Sequence, residues 1–234
     1  MKPFVFKQFE ILQDKEVFRV GTDGVVLGAL CNGEGAVRAL EVGCGTGLIS
    51  LMLAQRFPSV RLDALDINAK AVEIAGRNFN NSPFADRLNV IEINYNDFVS
   101  ADKYDLIVSN PPYFESDSSK DLIARHQVLL SFQELICKSA VLISDSGILS
   151  VIIPSDDAES FISIAEDNDL HLIRKIDIYG IKGGKLKRNI LEFSRKPSEL
   201  VLEKLVLEKE KRIYSDEYRE LTKDFHPMFK KNPA

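Results

Sequence analysis

From residue 37 onward the chain alternates short apolar runs with stretches of helical spacing. Residues 37–42, 60–67, 88–93, 104–109 and 147–153 are apolar runs of the length of a buried strand. Between them, residues 48–57 and 69–80 repeat apolar positions at helical intervals, and Asn68 is placed to cap the second stretch. A long helical pattern interrupted by loops covers about 122–143, and a further helix is predicted over 156–167. Residues 170–179 and 189–195 read as two more strands, 200–207 as strand or helix, and 217–225 as helix. Ahead of residue 37, Phe4, Phe6, Val17, Phe18 and Val20 surround the polar Gln13-Asp14-Lys15, the pattern of a hairpin or extended arm. Thr22 or Asp23 can then cap a short helix reaching about Cys31.

Strands alternating with helices imply βαβ units. The expectation is an α/β, Rossmann-like fold: a seven-stranded, mostly parallel sheet flanked by helices. Residues 1–36 form an N-terminal hairpin and helix extension, and 37–234 the main domain. In such sheets ligands bind beyond the carboxyl ends of the strands, so the residues just after each strand carry the functional argument.

Composition narrows the class without choosing it. The 234 residues are 45% apolar and 28% charged, with a formal net charge of -5, so a protein that coats nucleic acid with a wholly basic surface is excluded. The three cysteines, Cys31, Cys44 and Cys137, are odd in number and form no CxxC, which fits a reducing compartment. The three histidines have no metal-ligand spacing, so no metal is expected. No apolar run is long enough to span a bilayer and the first residues do not read as a signal peptide. A cytoplasmic monomer without a membrane partner is expected.

The first strand runs into Glu41-Val42-Gly43-Cys44-Gly45-Thr46-Gly47 and then a helix. Glycines there permit positive φ and close approach of a ligand to the backbone. A dinucleotide fingerprint would place its third small residue at 48, where this chain has Leu48. The loop instead resembles motif I of the class I S-adenosylmethionine-dependent methyltransferases. Asp66, with Ile67 beside it, ends the second strand, where a carboxylate can accept both ribose hydroxyls of NAD or of S-adenosylmethionine. Asn96-Asp97-Phe98 follows the third strand. The family resemblance implies an acidic residue there for the adenine amino group and an apolar neighbour for the ring. The resemblance thus implies cofactor contacts from Glu41, Gly43, Cys44, Gly45, Gly47, Asp66, Ile67, Asn96, Asp97, Phe98 and Asn110.

Asn110-Pro111-Pro112-Tyr113 follows the fourth strand. An amino nitrogen conjugated to a ring or carbonyl is a poor nucleophile. Two acceptors on its N–H bonds hold it and favour the pyramidal form. The Asn110 side-chain oxygen and the Pro111 carbonyl can be those acceptors, the prolines fix their placement, and Tyr113 can stack on a planar substrate. Positioning supplies most of the rate, so no histidine base is needed. The tetrapeptide is a signature of enzymes that methylate adenine N6, cytosine N4 or a glutamine amide.

Between Arg174 and Lys196 eight basic residues oppose two acidic ones, a local +6 that leaves about -11 for the rest of a chain at -5. Gly180, Gly183 and Gly184 mark its middle as a mobile loop suited to phosphate contacts, with Lys182, Lys185, Lys187 and Arg188 as candidates. Nearly the whole chain resembles the bacterial family that methylates N6 of adenine-37 in a valine tRNA. The carriers are Phe6-Lys7-Gln8-Phe9, Val20-Gly21-Thr22-Asp23-Gly24, Ala124-Arg125-His126, Lys187-Arg188, Tyr214-Ser215-Asp216-Glu217-Tyr218 and Asp224-Phe225. That resemblance implies S-adenosylmethionine as cofactor, tRNA as partner, cofactor contacts from Thr22 and Asp23, and a substrate side lined by Arg125 and His126. The alternatives are a protein glutamine N5-methyltransferase, from which the short stretch before the first strand departs, and an rRNA or DNA amino-methyltransferase.

Overall fold

The computed structural model describes residues 2–17, 19–111 and 130–227. A short hairpin, β1 (Phe4–Val5) and β2 (Glu10–Ile11), precedes helix α1 (Thr22–Leu30). The central sheet takes β3 (Arg38–Val42), β4 (Arg61–Asp66), β5 (Leu88–Glu92), β6 (Tyr104–Ser109), β7 (Ile143–Pro154), β8 (His171–Ile181), β9 (Leu186–Ser194), β10 (Val201–Glu210) and β11 (Ile213–Tyr214). Helices α2 (Leu48–Arg56), α3 (Ala69–Asn80), α4 (Phe132–Leu142), α5 (Ala158–Glu166) and α6 (Asp216–Thr222) flank it.

The strand order is β11-β10-β8-β9-β7-β6-β3-β4-β5. β3 through β7 pair in parallel, β9 runs antiparallel between β7 and β8, and β10 runs parallel to β8. Among the described residues the central sheet has nine strands in place of the expected seven. The segment around 200–207, open between strand and helix, is a full strand on the far side of β8, and the two-residue β11 folds back on its end. Its pattern was ambiguous because β10 buries little: Val201 and Leu202 are 48% and 69% exposed. The helical pattern over 122–143 resolves as α4 from Phe132, opened by a capping box between Ser131 and Glu134, while residues 112–129 lie outside the described residues.

β3 is the buried centre. Leu40 and Val42 face a core shared with α4 and α5, whereas Ala39 faces α1 and α2. Helix α1 lies close on α2 because Gly24 and Gly28 are one turn apart. A Cβ on Gly28 would come within 2.8 Å of the Met52 sulfur, and one on Gly24 within 3.3 Å of Leu48 Cδ2. The N-terminal arm is stapled on by aromatic rings. Phe6 stacks on Phe9 at 4.7 Å and on His226 at 5.5 Å, and the Lys7 N–H donates to the Phe225 carbonyl at 2.8 Å.

Candidate active site

Register brings the candidate residues to one edge. Val42 pairs with Leu65 of β4 and with Ser109 of β6. The next row along the chain is therefore Asp66, Gly43 and Asn110. Two strand spacings separate the flanking pair, about 10 Å. The Ser109 hydroxyl donates to the Val42 carbonyl at 2.9 Å and ties the two strand ends together.

The glycine loop is drawn over the end of β4. The Gly43 and Cys44 N–H groups both donate to the Leu65 carbonyl at 2.9 Å. The Gly45 N–H donates to one oxygen of Asp66 at 2.8 Å, and the Asn68 N–H donates to the other at 2.9 Å. Gly43, Gly45 and Gly47 have φ of 73°, 54° and 76°, the left-handed region that other residues enter at a cost. Their surroundings differ. A Cβ on Gly43 or Gly45 would meet no protein atom within 4 Å, whereas one on Gly47 would strike the Phe79 ring at 2.4 Å. The first two glycines thus leave a cradle open beyond the sheet edge, and the third lets α2 start tight against α3.

Behind the loop lies a polar layer. Glu41, only 1% exposed, accepts from the Ser50 N–H at 2.9 Å and from the Ser50 hydroxyl. Burial, reinforced by the nearby Asp66 charge, pushes its carboxyl up to about 8 although the Ser50 bonds pull the other way. Burial also raises the Cys44 thiol well above its ordinary range, so it is a packing residue of the loop and no thiolate. Asn78 is a buried residue that sequence reading missed. Its amide oxygen accepts from the Leu12 N–H at 2.8 Å, and its NH2 donates to the Thr46 carbonyl at 2.9 Å. It thereby joins arm, glycine loop and α3. Its only sequence signal was a polar residue on the apolar stripe of α3.

The third strand end is a 3-10 turn over Tyr95–Asp97. Asn96 donates to Glu134 of α4 at 2.8 Å, and Asp97 is exposed. Phe98 is turned into the core, its ring 6.4 Å from that of Tyr104. Ile67 is half exposed at the end of β4. At β6, Asn110 is half-buried and Pro111 buried. Pro112, Tyr113, Arg125 and His126 lie outside the described residues.

The basic segment is not a long loop. β8 and β9 continue to Ile181 and Leu186, leaving a four-residue connection. The Gly184 N–H donates to the Ile181 carbonyl at 2.9 Å, and Gly183 has φ 74° at the position a type II turn requires. The two glycines build a tight turn. The turn sits at the carboxyl edge of the parallel strands, since Arg188 pairs with Pro154, the last residue of β7. Arg174, Lys175, Arg195 and Lys196 lie toward the opposite edge; eight residues of β8, about 26 Å, separate Arg174 from Lys182. Arg174 is spent on Glu192 at 3.4 Å and Glu203 at 2.9 Å. Arg188 donates to Asp23 at 2.9 Å, an ion pair that ties the start of α1 to β9. Thr22 and Asp23 are therefore held at the same edge as Asn110. Among the described residues no cluster of three or more His, Cys, Asp or Glu could hold a metal, and no helix is long and apolar enough to cross a membrane.

Comparisons with known proteins agree with this geometry. The family model of the methyltransferase small domain matches residues 24–161. A tRNA1(Val) (adenine(37)-N6)-methyltransferase of Flavobacteriaceae bacterium (strain 3519-10) is 48% identical over 228 residues, covering 97% of this chain and 99% of its own. The protein of that name from Phocaeicola vulgatus is 43% identical, with 95% and 97% covered. Among solved structures, a predicted O-methyltransferase from Agrobacterium tumefaciens superposes with a TM-score of 0.69 at 17% identity, over 87% of this chain and 96% of its own. The N-methyltransferase NodS from Bradyrhizobium japonicum gives 0.52 at 17% identity, over 72% and 90%. Both show a shared fold.

Proposed function

The chain belongs to the tRNA1(Val) (adenine(37)-N6)-methyltransferase family, and on that premise we propose that it methylates the exocyclic N6 of adenine-37 in a valine tRNA with S-adenosylmethionine as donor. The observation that carries this reading is the juxtaposition of Asn110-Pro111 with the open glycine cradle across the β3–β6 register. The cofactor supplies an electrophilic methyl group on a sulfonium. Gly43 and Gly45 leave room for it against the backbone, and Asp66 offers a carboxylate at the end of β4, already fixed by two N–H donors. Thr22, Asp23, Glu41, Cys44, Gly47, Ile67, Asn96, Asp97 and Phe98 complete the expected cofactor side, several of them from behind the loop. Residues 1–36 act as an extension over this side.

Asn110 Oδ1 and the Pro111 carbonyl accept the two N6–H bonds of the adenine and turn its lone pair toward the methyl group. The N6–H becomes acidic only after the new carbon–nitrogen bond forms, so the proton leaves late and no strong base is required. Pro112 stiffens the motif, Tyr113 stacks on the base, and Arg125 and His126 line the substrate side. The adenine must be unpaired or flipped out to reach this edge. The protein acts in the cytoplasm as a monomer. Asn110→Ala should abolish methyl transfer to tRNA while S-adenosylmethionine still binds in calorimetry. Retained turnover, or loss of cofactor binding as the sole defect, would contradict the role given to Asn110.

A further inference from the structure

The functional reading puts a base at Asn110 and leaves open what holds the rest of the tRNA. Two grooves at the same sheet edge meet at Gly184. One, about 430 Å³, runs between Thr22 and the β8–β9 turn and carries Lys185 and Lys187. The other, about 630 Å³, runs from that turn along β10 and carries Lys182, Lys204 and Lys209. All five lysines are exposed. None makes a side-chain ion pair among the described residues, although Glu208 lines the first groove and Asp216 and Glu217 the second. Some lysines elsewhere are engaged, Lys70 with Glu73, Lys138 with the Asn96 carbonyl at 2.9 Å and Lys223 with Glu220, while Lys15, Lys175, Lys196 and Lys211 likewise make no side-chain ion pair among the described residues. What distinguishes the five is their gathering in two adjoining grooves at one edge. Five unpaired ammonium groups against three carboxylates make a local +2 on a chain at -5.

We propose that these two grooves form the track for the tRNA sugar-phosphate backbone outside the target nucleotide, with Lys204 and Lys209 of β10 extending the contacts of Lys182, Lys185 and Lys187. The proposal rests on the reading of the chain as a tRNA methyltransferase. Ammonium groups free of protein partners release condensed counterions when they meet phosphates, which is the main source of affinity for a polyanion. From Lys204 to Lys209 the strand advances about 16 Å, so the track reaches well beyond one flipped base. Charge at the other end of the β8–β9 hairpin takes no part: Arg174 is committed to two carboxylates, and Lys196 lies just beyond the end of β9, at the opposite edge.

The test is the salt dependence of binding to purified valine tRNA, measured between about 50 and 300 mM KCl for the wild type, Lys204→Ala/Lys209→Ala, and Lys196→Ala. The double variant should bind more weakly, and its log–log salt slope should be shallower by about 2, one per phosphate contact. Lys196→Ala should match the wild type. A double variant with the wild-type slope and affinity would overturn the track, and so would an equal loss in Lys196→Ala. Thermal melting of each variant checks that the exposed substitutions leave the fold intact. A wild type that leaves tRNA unmethylated would remove the premise itself, an outcome distinct from normal methylation with an unchanged salt slope.

Discussion

Replacing Gly45 and Gly47 separately by alanine should divide the two tasks of the glycine loop. Both have positive φ, so each Gly→Ala change carries a backbone cost of about 1–2 kcal/mol. For Gly45→Ala that is the whole of the structural cost, because the new methyl meets no protein atom within 4 Å. For Gly47→Ala the methyl would sit 2.4 Å from the Phe79 ring and 3.3 Å from the Ala75 Cβ, and overpacking adds about 1–3 kcal/mol. In a chain of 234 residues, 1 kcal/mol moves the melting temperature by about 2–4 °C. Gly45→Ala should therefore melt about 2–8 °C below the wild type and Gly47→Ala about 4–20 °C below. Cofactor affinity should rank the other way. The Gly45→Ala methyl fills the cradle, and S-adenosylmethionine binding measured by calorimetry should weaken on the order of tenfold or more, at 1.4 kcal/mol per factor of ten. Folded Gly47→Ala, at a temperature below its transition, should lose less. Wild-type cofactor affinity in Gly45→Ala would refute the placement of the cradle, and equal melting of the two variants would refute the packing role of Gly47.

Glu41 makes stability depend on pH. Its folded carboxyl titrates at about 8 against an ordinary 4.5, so the folded protein holds a proton that the unfolded chain gives up first. The stabilisation is complete below about 4.5 and is lost as pH rises toward 8, at up to about 1.36 kcal/mol per unit. Urea midpoints across that window should fall for the wild type and stay flatter for Glu41→Gln, whose amide oxygen can still accept from Ser50; parallel curves would contradict this. Arg188→Ala should lower cofactor affinity and melting temperature by freeing Asp23 at the start of α1, with little change in the salt slope of tRNA binding. A large change in that slope would show Arg188 to be a phosphate contact and contradict a purely positioning role.

Much of the parallel half of the sheet was legible because its strands are apolar runs stopped by residues with distinct backbone demands: Gly43, Asp66 and Asn110. Those same stops are the site, so fold and site were read from one pattern. β10 was not legible, since a strand paired mainly along one edge and exposed on its faces carries no firm alternation. The basic segment was legible as charge but not as geometry. A glycine pair suggests a loop, yet Gly183 and Gly184 are what a tight turn between two long strands requires. The ion pair of Arg188 was not legible because its partner Asp23 lies 165 positions away. The inward turn of the Phe98 ring was not legible, because hydrophobicity alone does not say which side of a turn a ring takes.

The central claim is tested most directly by incubating the protein with methyl-labelled S-adenosylmethionine and valine tRNA, digesting the RNA to nucleosides and identifying the labelled product by mass spectrometry. Label in N6-methyladenosine, absent when Asn110→Ala replaces the wild type and when adenine-37 is replaced in the tRNA, is the expected result. Label in another nucleoside, or in protein with none in the RNA, would contradict it.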